Sequence, residues 1–109
     1  MIKHTTIFSM NPAEVDASER MWAALERAAK ASPLVVEAEG GIMLSSEKTA
    51  DSASAEAHEG PVWGDVIQIL SFASREDADA YPRSREHDLL LAETEGLVAG
   101  ATAIDFEVE

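Results

Sequence analysis

At 109 residues, 46% of them apolar, the chain is long enough for one domain with a real core, at a size where a second copy often supplies further burial. The absence of cysteine excludes a disulfide framework, a thiolate zinc site and a cysteine nucleophile, and agrees with a cytoplasmic location. A formal net charge of −13 repels phosphate backbones and anionic lipid, so neither nucleic acid nor membrane is an expected partner, and the acidity reads as a solubility coat.

No stretch approaches the roughly 20 apolar residues of a membrane span. Met1 runs straight into a strand pattern with no apolar leader, so no signal peptide is expected. The first element is a strand over Ile2 to Ser9, a short β-branched and aromatic run. Asn11 as N-cap and Pro12 as first helical residue then predict a helix reaching about Ala31, with Glu14 and Asp16 in its first turn and Val15, Trp22, Leu25 and Ala29 on its apolar stripe. Pro33 closes it.

A second strand is predicted from Val35 to Leu44, with a bend or bulge at Gly40 and Gly41. Ser45 to Gly60 is rich in Ser, Ala, Glu and Asp and predicts a mobile acidic loop, in which His58 reads as a solvated side chain. The third strand, Trp63 to Phe72, carries large apolar groups on both alternating faces, the pattern of a strand covered on two sides. Ser74 to Asp77 fits a capping box opening a second helix, interrupted at Pro82, resumed through Leu89, Leu90 and Leu91, and stopped at Gly96. Ala101 to Glu109 alternates cleanly and predicts the last strand.

The order is βαββαβ, the ferredoxin-like pattern of an α+β domain over residues 1–109. Two helices cover one face of such a four-stranded antiparallel sheet. A third strand apolar on its other face then calls for a second copy, sheet against sheet, in a two-fold homodimer.

Several residues carry a more specific likeness. Ile2-Lys3-His4 opens the first strand, Asp65 to Phe72 forms the third, Tyr81 to His87 follows it in the helical segment, and Ile104-Asp105-Phe106 closes the chain. With these pieces the chain resembles the stress-responsive A/B barrel (Dabb) family of dimeric α+β barrel proteins. Some members of that family are cofactor-free polyketide cyclases of the olivetolic acid cyclase type. In those, a tyrosine and a histidine after the third strand, with a histidine on the first, surround a pocket between sheet and helices. By position the resemblance implies Tyr81 and His87 as candidate catalytic residues and His4 as a ligand contact. The usual family motif is His-Pro-x-His, where this chain reads Ser84-Arg85-Glu86-His87.

Two residues six apart on an unbroken α-helix point roughly 120° away from each other, which would separate Tyr81 from His87. Pro82 is expected to push Tyr81 towards extended geometry and let the two side chains converge. His87 could then act as general base beside a carbonyl while Tyr81 polarises it; Glu86 and Asp88 are expected to favour the imidazolium. The alternative for His87 is a helix-surface histidine, and for Tyr81 a core aromatic with its hydroxyl at the surface. His4 shares its strand face with Thr6 and Phe8, and these three with Trp22 are the candidate ligand-binding residues; His4 also reads as a core histidine satisfied by a hydrogen bond, and Trp22 as a core or interface anchor.

An aldol-type step of this kind needs neither metal nor cofactor, and none is expected. His4, His58 and His87 lie in three elements without metal-ligand spacing, Gly40-Gly41 lacks the rest of a phosphate loop, and no serine sits in a nucleophile elbow. Two functions lead: a homodimer with a pocket for a small hydrophobic or carbonyl-containing ligand, or a cofactor-independent polyketide cyclase or lyase. A cofactor-free monooxygenase on the same architecture is a third.

Overall fold

The computed structural model describes residues 1–43 and 65–108. Among them the order is β1 (Ile2–Met10), α1 (Ala17–Ala31), β2 (Val35–Ile42), β3 (Val66–Phe72), α2 (Arg75–Ala80), a 3-10 turn (Tyr81–Arg83), α3 (Arg85–Glu93) and β4 (Val98–Glu107). The strands form one sheet in the order β2-β3-β1-β4, every neighbouring pair antiparallel, with α1 packed on α3, β2 and β3. This is the ferredoxin-like α+β arrangement expected from the sequence. The expected acidic loop with His58, together with Leu44, Trp63 and Glu109, lies outside the described residues.

Pairing registers assign each side chain to a face. Ile2, His4, Thr6 and Phe8 stand opposite Phe72, Leu70, Gln68 and Val66, and all eight point towards the helices. On β3 this set is buried throughout, between 0% and 5% exposed. The other face carries Ile7, Ile67, Ile69, Ile104 and Phe106, the last two 62% and 47% exposed. Lys3 and Glu39 meet across one end of that face at 3.6 Å. The apolar pattern on both sides of β3 is therefore real, but only one side is covered within the described chain.

Three local expectations are corrected. Helix α1 begins at Ala17, not at Pro12. The Asn11 carboxamide oxygen accepts from Ala13 N at 3.0 Å and its amide donates to the Gly96 carbonyl at 3.1 Å, while Asn11 N donates to the Leu97 carbonyl at 2.7 Å. Those bonds tie residue 11 to the turn before β4 and hold residues 12–16 in turns. Asp16, with φ 54°, then opens the helix without a side-chain cap. Val15, 75% exposed, drops off the apolar stripe, which is instead Ala17, Met21, Ala24, Leu25, Ala28 and Ala29.

The β2 bulge falls between Val35 and Glu37, not at the twin glycines. Gly40 has a different reason to be glycine: at φ +141° a Cβ would sit 2.1 Å from the Ile67 carbonyl oxygen of the adjacent strand. The last strand starts at Val98, ahead of the expected Ala101. The remaining punctuation agrees. Ser74 Oγ accepts from Asp77 N at 3.2 Å to cap α2, α1 ends at Ala31, and Gly96 takes φ +84° after α3.

Candidate functional site

His4 and Asp105 are direct partners in the β1–β4 register, so both side chains rise from the sheet on its helix side. His4 Nδ1 donates to Asp105 Oδ1, since a carboxylate only accepts, and His4 Nε2 shares a 3.0 Å hydrogen bond with the Thr6 hydroxyl. Both ring nitrogens are thus engaged, which fixes the plane of the imidazole. The readings of His4 as a hydrogen-bonded histidine and as a wall residue coincide here.

Tyr81 reaches the same region from the helix side. It is 5% exposed, its ring 5.6 Å from that of Phe72 and 5.4 Å from that of His87, the second contact edge-on at 77°. The break that brings Tyr81 and His87 together is not where Pro82 alone would put it. Tyr81 stays helical (φ −57°, ψ −48°), and the extended residue is Ser84 (φ −82°, ψ 160°), which ends the 3-10 turn and caps α3. One residue out of helical register is enough to undo the divergence of an unbroken helix.

A hollow of about 460 Å³ opens between these elements, lined by His4, Phe72, Ala78, Asp79, Tyr81, Pro82, Arg83 and Asp105. His87 is not in its wall; it packs against Tyr81, itself a wall residue. The Tyr81 hydroxyl and His87 Nδ1 are both enclosed, and neither has a hydrogen-bond partner among the described residues. Burial, with a smaller contribution from Glu86, raises the Tyr81 phenol above its ordinary value of 10.0. Burial lowers His87 below 6.5; Asp88 opposes that shift and His4 adds to it. Asp88 favours the imidazolium as expected, but desolvation outweighs it, and His87 is held towards its neutral form.

The other candidate ligand contacts separate. Thr6 is buried and serves His4 through its hydroxyl, and Phe8 packs into the central core. Trp22 lies over the other half of the sheet, in the wall of a second hollow of about 500 Å³ with Glu26, Lys30, Val35, Glu37, Ala38 and Gln68. That hollow is the larger, yet its wall lacks a histidine or tyrosine, so size and chemistry point to different places and the chemistry decides. Among the described residues no group of three or more His, Cys, Asp or Glu side chains comes together to hold a metal ion, and no helix is long and apolar enough to cross a membrane.

Sequence reasoning did not give Asp105 or Arg83 a role. Asp105 was within reach of it: antiparallel β1 and β4 with clean alternation place Asp105 on the His4 face.

No family model and no curated protein matches the chain in sequence. Solved structures do match in fold. A dimeric ferredoxin-like protein of unknown function from Thermobifida fusca aligns over 98% of this chain and 90% of its own, with 19% identity and a TM-score of 0.72. A Dabb family protein with a ferredoxin-like fold from Mesorhizobium loti aligns over 99% and 96%, with 15% identity and a TM-score of 0.72. An antibiotic biosynthesis monooxygenase aligns over 100% and 99%, with 13% identity and a TM-score of 0.67. The chain shares the ferredoxin-like fold of these proteins.

Proposed function

We propose that the chain is a single-domain, homodimeric stress-responsive A/B barrel protein that holds a small hydrophobic, carbonyl-containing molecule between sheet and helices. The observation that carries this reading is the hollow framed on the sheet side by the His4–Asp105 pair and Phe72 and on the helix side by Tyr81, an apolar aromatic wall beside an oriented polar pair. The enclosed Tyr81 hydroxyl, without a partner among the described residues, adds to it, because an unpaired buried donor costs about 1–3 kcal/mol, which a slight opening of the wall that admits a ligand carbonyl would recover. The dimer is supported by the apolar row on the uncovered face, Ile7, Ile67, Ile69, Ile104 and Phe106, and by the description of the Thermobifida fusca protein as dimeric.

Titration with an alkyl β-diketone, 2,4-nonanedione, followed by amide chemical shifts, is expected to move Phe72, Tyr81 and the His4 strand while leaving the Trp22 region unmoved. Shifts confined to Trp22 and β2 would assign the ligand to the other hollow. Light scattering is expected to give a dimer burying more than about 1,200 Å² in total, and Ile104→Asp to yield monomer. A stable wild-type monomer at micromolar concentration would remove the assembly.

A second reading, a cofactor-independent polyketide cyclase or lyase, is favoured by one observation: burial holds His87 towards its neutral form against the edge of Tyr81. In that reading His87, brought to the hollow by a shift of the Tyr81 ring, is the base, Tyr81 polarises the carbonyl, and the His4 ring, both nitrogens already engaged, forms the sheet-side wall. His87→Ala would lower turnover by about 10² to 10⁴ without unfolding the chain, and Tyr81→Phe would lose less. Binding of the diketone without any turnover of poly-β-ketone substrates would leave the binding reading alone.

A further inference from the structure

Ser84 stands between the two enclosed rings in sequence and is bonded to both of their residues. Its hydroxyl donates to the Tyr81 carbonyl at 2.6 Å and accepts from His87 N at 3.3 Å. Its backbone N–H reaches the same Tyr81 carbonyl at 3.0 Å, and its carbonyl accepts from Asp88 N at 3.0 Å. An N-cap needs only the second of the two side-chain bonds. Ser74, the cap of α2, shows the ordinary case: its hydroxyl accepts from Asp77 N at 3.2 Å. What distinguishes Ser84 is the bond running backwards, across the break, to the residue that carries the buried phenol.

We infer that Ser84 is a positioning residue, a hydroxyl clamp that fixes the Tyr81 ring against the His87 ring across the helix break. The geometry gives the reason. Tyr81 belongs to the 3-10 turn and His87 to the first turn of α3, and across the extended Ser84 backbone between them one side-chain oxygen adds a bond to each segment beyond the backbone bonds. A hydroxyl is a donor and an acceptor at once, so one oxygen can grip the turn behind it and the helix ahead of it. Alanine can do neither. An ionised aspartate can cap the helix but has no proton to give the Tyr81 carbonyl. Threonine can do both. The inference concerns the arrangement of the wall of the proposed pocket, and its functional meaning rests on that pocket reading, but the clamp itself can be measured without any ligand.

The test is a set of substitutions in the full-length chain, read by ring-to-ring proton cross-peaks between Tyr81 and His87 and by the Tyr81 ring shifts. Ser84→Ala is expected to lose the cross-peaks, Ser84→Thr to restore them, and Ser84→Asp to keep the melting temperature while losing them. The Asp variant is read by cross-peaks and melting temperature and is left out of the ligand titration, since its new charge would itself perturb binding. Ser74→Ala is the matched control, expected to lower the melting temperature as a lost cap does and to leave the cross-peaks intact. Equal cross-peaks in wild type, Ser84→Ala and Ser84→Asp would overturn the inference and reduce Ser84 to a cap. The diketone titration then separates the two claims. If wild type binds, Ser84→Ala is expected to bind more weakly and Ser84→Thr to bind as wild type does; if wild type fails to bind while the cross-peaks still depend on Ser84, the pocket reading falls and the clamp stands.

Discussion

Around Leu25 and Val66 the layer between helices and sheet is filled by Met10, Met21, Ala24, Ala28, Leu90 and Leu97, with Trp22 and Phe8 packed at its margin. Around Tyr81 the same layer holds Ile2, Leu70 and Phe72, but also a buried phenol, a half-buried imidazole and the His4–Asp105 pair close by. The first region has nothing in it that requires explanation beyond packing. The second encloses polar atoms without partners among the described residues, an arrangement that lowers stability and that packing alone would not select. One fold thus sets a fully packed region beside the region in which the proposed pocket lies.

Leu25→Ala should test the first half of that contrast most severely. Leu25 is 1% exposed in the centre of the packed cluster, and truncation removes its transfer energy and leaves a cavity. Urea unfolding is expected to show a loss of about 2–5 kcal/mol, with the Tyr81–His87 ring contact unchanged in the folded fraction. A loss of well under 1 kcal/mol would mean that the centre is not the stabilising region.

Asp105→Ala probes the other side with a smaller expected effect. The His4 and Asp105 side chains are 32% and 42% exposed, so water screens the pair and its contribution to stability is about 1 kcal/mol at most. The larger consequence is expected in the ring itself: without its carboxylate partner, His4 keeps only the Thr6 contact and its imidazole signals should broaden or move. A destabilisation matching that of Leu25→Ala would place the pair in the structural half of the comparison.

What could be read from the sequence follows the range of the forces involved. The succession of elements along the chain, the Ser74 cap, the Gly96 stop and the two-sided β3 are set by residues near one another in the chain, and all were legible. The start of α1 was not, because Asn11 is held by Gly96 and Leu97 from the far end of the molecule. The bulge was misplaced for a related reason, since Gly40 answers to the backbone of the neighbouring strand rather than to its own. At the site, Tyr81, His87 and His4 could be singled out by type and position. The sign of the His87 shift could not, because the nearby carboxylates are visible in the sequence and the desolvation that outweighs Asp88 is visible only in three dimensions.

That shift makes the second region sensitive to acid. A histidine lowered in the folded state binds its proton less readily than in the unfolded chain, so the unfolded state takes up more protons as pH falls below 6.5. Stability contributed by His87 is complete above that value and is lost as pH falls through it towards the folded-state value. Melting temperatures are therefore expected to fall between about pH 8 and about pH 5.5, and His87→Gln to flatten that slope. An unchanged slope in the variant would assign the acid sensitivity to the carboxylates instead.

Tyr81→Phe should give the smallest effect and the most discriminating one. The substitution removes only an oxygen, and that oxygen has no partner among the described residues, so no hydrogen bond is lost and an uncompensated burial is relieved. At neutral pH the change is expected to lie within about 0.5 kcal/mol of zero or to stabilise slightly, unlike an ordinary buried tyrosine, whose satisfied hydroxyl contributes about 1 kcal/mol. The alkaline side carries the opposite sign from His87. Because the folded phenol titrates above 10.0, the unfolded chain releases its proton first, and the contribution of Tyr81 is complete below pH 10 and lost as pH rises beyond it. Wild type should therefore lose stability above pH 10 more steeply than Tyr81→Phe, measured by urea unfolding in parallel buffers. A loss of 1 kcal/mol or more at neutral pH would show that the hydroxyl is satisfied after all, by a water or by a part of the chain beyond the described residues, and would move Tyr81 from the chemical region of the molecule to the structural one.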